Sequence, residues 1–112
     1  MNKVAIIGSR TFKNYQVLKN NLKQWHISEI ISGGANGADI LAEQYAREKN
    51  IKLSVFKPDY SKYGRIAPLK RNRLIIEVSD FVIAFWDGKS KGTKNAIDYA
   101  NKLKKPVKII EF

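Results

Sequence analysis

Glu29-Ile30-Ile31-Ser32-Gly33-Gly34-Ala35-Asn36-Gly37-Ala38-Asp39 is the stretch that decides how this chain folds. A brief apolar run ends in Gly33-Gly34, and beyond Gly37 the pattern changes. Ala38, Leu41, Ala42 and Tyr45 fall at i, i+3, i+4 and i+7, the signature of an amphipathic helix. The glycines permit positive φ and let another group approach the backbone closely. The first amides of the helix lack partners and carry partial positive charge. Strand, glycine turn and helix start together make a cradle suited to an anion such as phosphate. A tight turn with glycines chosen for packing is the plainer reading of the same residues. Asp39 suits the helix dipole but would repel a phosphate, so capping, or accepting from a ribose or a loop amide, fits it better.

Outward from this stretch, short apolar runs alternate with helical patterns. Val4-Ala5-Ile6-Ile7 is bounded by Gly8, and Leu18, Leu22 and Trp25 follow at helical spacing. Leu53-Ser54-Val55-Phe56 is a third strand candidate stopped by Pro58. Ile66 to Val78 reads as a helix with Leu74, Ile75 and Val78 on one side. Phe81-Val82-Ile83-Ala84-Phe85 is a continuous β-branched and aromatic run, expected where both faces of a sheet are covered. Ala96, Ile97, Ala100 and Leu103 make a last helical face, and Val107-Lys108-Ile109-Ile110 a fifth strand. Strict β-α alternation predicts an α/β fold: a Rossmann-like, doubly wound sheet of about five parallel strands joined by right-handed crossovers, with helices on both faces. Ligands of such sheets bind beyond the carboxyl ends of the strands, where strand order reverses.

Composition narrows the chemistry. The 112 residues fit one domain, residues 1–112, with no linker or repeat. No apolar run approaches the roughly 20 residues that span a bilayer, and the opening apolar run is too short for a signal peptide, so a soluble, cytoplasmic protein without membrane partners is expected. The chain has no cysteine and a single histidine, His26, which excludes disulfides, thiolate zinc and His-rich metal sites. No metal and no cofactor is implied. The net charge is +11, with Lys57, Lys62, Arg65, Lys70, Arg71 and Arg73 in one cluster and Lys89, Lys91 and Lys94 in another. Such a field attracts phosphate-bearing partners, small or polymeric, and also serves plain solubility.

The strand-to-helix loops should converge at one sheet edge. They carry Gly8-Ser9-Arg10, then Ser32 to Asp39, then Lys57-Pro58-Asp59-Tyr60 with Tyr63-Gly64, then Trp86-Asp87-Gly88-Lys89-Ser90-Lys91-Gly92-Thr93. Arg10 directly follows a strand, where a guanidinium can grip phosphate bidentately. Ser90, Gly92 and Thr93 form a second anion-binding candidate at a helix start, which capping alone would also explain. Arg71-Asn72, behind Ala67-Pro68, pairs a guanidinium with an amide. Phe85 and Trp86 read as core. Tyr60 and Tyr63 are candidates for base stacking or for burial under their loop.

These blocks resemble, in order, the motifs of the SLOG superfamily, in particular its small YspA/YpsA-related branch. The resemblance rests on Gly8-Ser9-Arg10 with Phe12, on Ser32-Gly33-Gly34-Ala35 with Gly37-Ala38-Asp39 and Leu41-Ala42, and on Tyr63-Gly64 leading to Arg71-Asn72. Ala84-Phe85-Trp86-Asp87-Gly88 and Gly92-Thr93 complete it, so that it runs from Val4 to Ala100. It implies a domain that binds a nucleotide or nucleotide derivative, like the sensors suspected in phage-conflict and stress systems. Related phosphoribohydrolases carry a glutamate three residues after the Gly-Thr threonine. Here that position is Ala96, and their arginine-lysine pair corresponds at best to Arg71-Asn72.

Three functions compete. The first is a nucleotide-binding module without turnover, with Gly8, Ser9, Arg10, Gly33, Gly34, Ala35, Asn36, Gly37, Asp87, Gly92 and Thr93 around the ligand, and Arg71 and Asn72 orienting it. The second is a phosphoribohydrolase or N-glycosidase acting on a nucleotide or NAD-like substrate, with Asp39 or Asp87 as the carboxylate beside the ribose. The third is a nucleic-acid-binding protein. Pairing of helix faces into a homo-oligomer is compatible with all three.

Overall fold

Alternate residues of a strand point to opposite faces, and the sorting of apolar side chains follows from that period of two. In the computed structural model, which describes residues 2–112, β1 (Lys3–Gly8) sends Val4 and Ile6 to one face and Ala5 and Ile7 to the other. The first face is covered by α1 (Tyr15–Leu22) and α2 (Ala38–Lys49), which bring Leu18, Leu22, Ala42 and Tyr45 against Ile30, Ile83 and Phe85. The second is covered by α4 (Ala67–Val78) and α5 (Lys91–Lys102), which bring Ile75, Ile76, Ala96, Ile97 and Ala100 against Ile31, Val82 and Ala84.

β1, β2 (Glu29–Ser32), β3 (Lys52–Val55), β4 (Phe81–Trp86) and β5 (Val107–Glu111) form one sheet in the order β3-β2-β1-β4-β5. Every pairing is parallel, with Ala5 opposite Ile31 on one side and Val82 on the other. The chain winds from β1 outward to β3, then returns to lay β4 against the free side of β1. The order therefore reverses between β1 and β4, and a crevice opens over the carboxyl ends of those two strands.

Three local expectations are corrected. Trp25 is not on the first helix: α1 closes at Leu22, the Trp25 amide donates to the Leu22 carbonyl at 2.9 Å, and the indole packs on Phe81 with ring centroids 4.2 Å apart. The segment after β3 is not all loop. Asp59 caps a short helix, α3 (Tyr60–Tyr63), by accepting from the Lys62 amide at 3.1 Å. Leu74 and Val78 do not share the buried side of α4 with Ile75; they are exposed, and the inward face is Ala67, Arg71, Ile75 and Ile76. An arginine occupies the core-side row, so hydropathy alone pointed the helix the wrong way.

Candidate functional site

The loops after β1 and β4 are sewn together by Ser9. Its amide donates to the Phe85 carbonyl at 2.9 Å, and its hydroxyl accepts from the Asp87 amide at 3.2 Å. Phe12 is buried three residues on and stacks on Phe85 at 4.6 Å, which holds Arg10 on the exposed rim between them. Phe85 is thus core, as its sequence context implied, and Trp86 donates its indole N–H to the Ser90 carbonyl at 3.0 Å. The Asp87 carboxylate accepts from the amides of Lys89 at 2.9 Å and Ser90 at 2.8 Å. Those two bonds, Lys89 foremost, hold its pKa below the ordinary carboxylate value. Asp87 organises its loop and stays ionised near neutral pH.

This turn delivers the start of α5. Ser90 is the N-cap but makes no side-chain capping bond; its hydroxyl lies 3.2 Å from that of Thr93, which is buried. The first intrahelical bond runs from the Lys94 amide to the Ser90 carbonyl at 3.1 Å. The amides of Lys91, Gly92 and Thr93 precede it, and among the described residues they have no acceptor from the chain.

Across the crevice, the glycines after β2 have separate uses. Gly37 has φ +84°, and a Cβ there would lie 2.4 Å from the Ser9 carbonyl oxygen and 2.7 Å from the Arg10 Cα. It docks the β2 loop onto the β1 loop and lies behind the crevice, not on its lining. Gly33 is buried, and a Cβ on it would sit 2.7 Å from Arg71 Nη1 and 2.9 Å from Asp39 Oδ2. The bare backbone of Gly33 therefore passes between a guanidinium and a carboxylate.

Arg71 reaches this point from the inward face of α4 and is nine-tenths buried, at 9% exposure. Its Nη1 donates to the Gly33 carbonyl at 2.6 Å, and its Nε to the Asn72 side-chain oxygen at 2.7 Å. Two of five guanidinium donors are thus used. Asn72 positions Arg71 through its side-chain oxygen and itself lines the cavity. Burial, opposed chiefly by Asp39, lowers the Arg71 pKa from its ordinary value, yet an arginine keeps its charge at any physiological pH. Asp39 is buried too, at 7% exposure, and Oδ2 accepts from the Ala35 amide at 3.1 Å. Burial pushes its pKa up to about 6, against the opposing pull of the Ala35 amide and the Arg71 charge. Of the two carboxylates singled out in the sequence, only Asp39 changes protonation near neutral pH.

That shift has a consequence for stability. A folded pKa raised above the unfolded value of 3.8 means that the native state holds its proton longer, so stability falls as pH rises through about 4 to 6. Asp39→Asn keeps an acceptor for the Ala35 amide and removes the cost of ionisation. The variant is expected to exceed the parent by about 3 kcal/mol at pH 8, and by far less at pH 4, in paired denaturant titrations. An equal difference at both pH values contradicts the assignment.

These groups enclose a cavity of about 390 Å³, lined by Gly8, Ser9, Arg10, Ala35, Asp39, Arg71, Asn72, Asp87, Gly92 and Thr93. Gly33, Gly34 and Asn36 line an adjoining chamber of about 520 Å³, which shares Arg10, Ala35, Pro68 and Arg71 with the first. Both volumes fall in the range of small-molecule sites. Ser90, proposed from sequence, lines the first cavity, and so does Ala96, at the position where the related hydrolases carry their glutamate. Lys57 and Pro58, in the third of the loops expected to converge, line the second chamber, whereas Pro68 on the shared wall and Thr11 in the first cavity were not singled out from sequence. Pro68 had a signal, since proline in the first turn of a helix places that turn at the crevice.

The fold and the crevice define a doubly wound α/β domain with an arginine-lined cavity at its topological switch point. The chain belongs to the YspA, cpYpsA-related SLOG family, whose sequence profile matches residues 2–63. It is similar to the Gene 61 protein of Mycobacterium phage D29, at 30% identity over 118 residues that cover 96% of this chain and 94% of the phage protein. Among solved structures it resembles DNA processing protein A of Helicobacter pylori, whose structure bears on that protein's single-stranded DNA binding mode. There the TM-score is 0.74 and the identity 29%, over 96% of this chain and 64% of that one. DNA processing protein A of Streptococcus pneumoniae shares the fold, with a TM-score of 0.76 at 20% identity over 100% of this chain and 51% of that one. The chain therefore spans between half and two thirds of these two solved chains. No described helix is long and apolar enough to cross a membrane.

Proposed function

We propose that this chain binds a nucleotide or nucleotide-derived phosphate ligand in the crevice over β1 and β4, as a binding module rather than a hydrolase. The observation that carries the reading is Arg71. A cation nine-tenths buried, with donors left over, borders a cavity that Gly92 and Thr93 at the start of α5 also line. Burying a charge is costly unless it meets a counter-charge or full hydrogen bonding. A phosphate at this point accepts from the guanidinium and from the first turn of α5, and offsets that cost.

Binding rather than turnover is supported by Ala96 on the cavity wall, at the position where the related hydrolases carry their glutamate. Nucleoside monophosphates at 100 times their Kd should raise apparent stability by about 2.7 kcal/mol. Chromatography of the same mixtures should show no free base. A stability curve indifferent to all four nucleotides contradicts binding, and accumulating base contradicts the absence of turnover.

A second reading, a single-stranded nucleic-acid partner, is supported by the net charge of +11 and by the likeness to the Helicobacter pylori protein. It makes its own demand: affinity for an oligodeoxythymidylate must fall steeply between 50 and 200 mM salt, by about 300-fold if about six phosphates are neutralised. A flat salt profile, or no binding at 50 mM, removes it.

A further inference from the structure

The second chamber carries an aromatic wall that the first lacks. Beyond the shared residues Pro68, Arg10, Ala35 and Arg71, its walls are the Gly33-Gly34 backbone, Pro58 and Tyr60, with Asn36 and Lys57 as polar side chains. Tyr60 opens α3 and is 60% exposed, the largest exposure among the bulky apolar side chains. Its hydroxyl makes no hydrogen bond among the described residues. Tyr63, one turn later, is by contrast half-buried, with Lys62 and Lys70 ammonium groups 5.2 Å and 5.8 Å from its ring centre. One aromatic ring of this segment is covered, and the other is presented bare beside two prolines. The Asn36 side chain is exposed and likewise unpartnered among the described residues, with a donor and an acceptor free for a ring edge.

We propose that the second chamber is a base subsite: Tyr60 stacks on the nucleobase of the ligand whose phosphate occupies the first cavity, and Asn36 meets the edge of that base. The inference rests on the phosphate reading above and adds the part of the ligand that reading leaves unplaced. The shared wall of Arg10 and Arg71 sets the register, because a base joined through a pentose to a phosphate must cross it. A stacking face accepts any base, whereas the Asn36 amide discriminates among them by hydrogen bonding. Tyr60 is thus an affinity residue and Asn36 a specificity residue. A free nucleotide and a nucleic-acid strand both present this base–pentose–phosphate unit.

Calorimetric titration of the full chain with the four nucleoside monophosphates, ribose 5-phosphate and a short oligodeoxythymidylate tests the proposal. Because Tyr60 is exposed, Tyr60→Ala leaves the core untouched. It should weaken the tightest mononucleotide about tenfold or more while ribose 5-phosphate is unaffected, and Tyr60→Phe should bind as the parent does. The same loss seen only with the oligonucleotide assigns the platform to a strand. Affinity for mononucleotides and oligonucleotide alike unchanged in Tyr60→Ala overturns the base subsite and leaves the phosphate reading standing. A parent protein that binds none of the probes overturns both.

Discussion

Arg71→Ala is expected to weaken nucleoside monophosphate binding by about 30-fold to 1,000-fold, the cost of removing one partner from a buried, hydrogen-bonded charge pair. The size of the effect follows from burial. A guanidinium at 9% exposure has few waters to exchange for ligand oxygens, so its bonds to a phosphate are made in a poorly screened setting. The same truncation strips the Gly33 carbonyl of its 2.6 Å partner and should cost about 1–3 kcal/mol of stability. Arg71→Lys separates the two roles. Lysine keeps the charge but cannot bridge Gly33 and Asn72 while also presenting a fork to the ligand. Its affinity should fall between those of the parent and Arg71→Ala. Parent-like affinity in a folded Arg71→Ala would remove this residue from the site.

Gly37→Ala is expected to destabilise the fold by about 3 kcal/mol or more. Two costs combine. A φ of +84° is unfavourable for any residue with a Cβ. A Cβ 2.4 Å from the Ser9 carbonyl oxygen must also push apart two backbone segments, not a pliable side chain. Urea unfolding reads the loss directly. Gly92→Ala is the control: nothing lies within 4 Å of its Cβ position, it sits in a helical first turn, and stability should hold or rise slightly. Equal behaviour of the two variants would contradict the loop-locking role of Gly37.

The contrast between these glycines marks what the sequence could and could not convey. Period-two and period-3.6 patterns located every strand and the four long helices, because burial on both sheet faces leaves continuous apolar runs such as Phe81 to Trp86. The convergence of Gly8-Ser9-Arg10, Ala35 and Gly92-Thr93 followed from topology alone, since parallel strands put all their following loops at one edge. Roles within that cluster were not legible. Gly37 resembles its neighbours in sequence yet serves packing, and Asn72 lends its side-chain oxygen to Arg71. α4 was misoriented because its buried row contains an arginine satisfied by a backbone carbonyl 38 residues away. The difference between Asp39 and Asp87 is likewise tertiary: one is buried against Gly33, and the other is solvated and ringed by amides.

The central claim is that an anion sits where the β1 loop, Arg71 and the start of α5 meet. Amide-resolved NMR titration of the parent protein with a nucleoside monophosphate tests it most directly. Saturable shifts are expected at Ser9, Arg10, Ala35, Gly92 and Thr93, together with the Arg71 side-chain Nε–H. Shifts gathered instead around the groove of Phe12, Asn14, Val17 and Phe112 at the β5 edge, with the crevice amides unmoved, would contradict it.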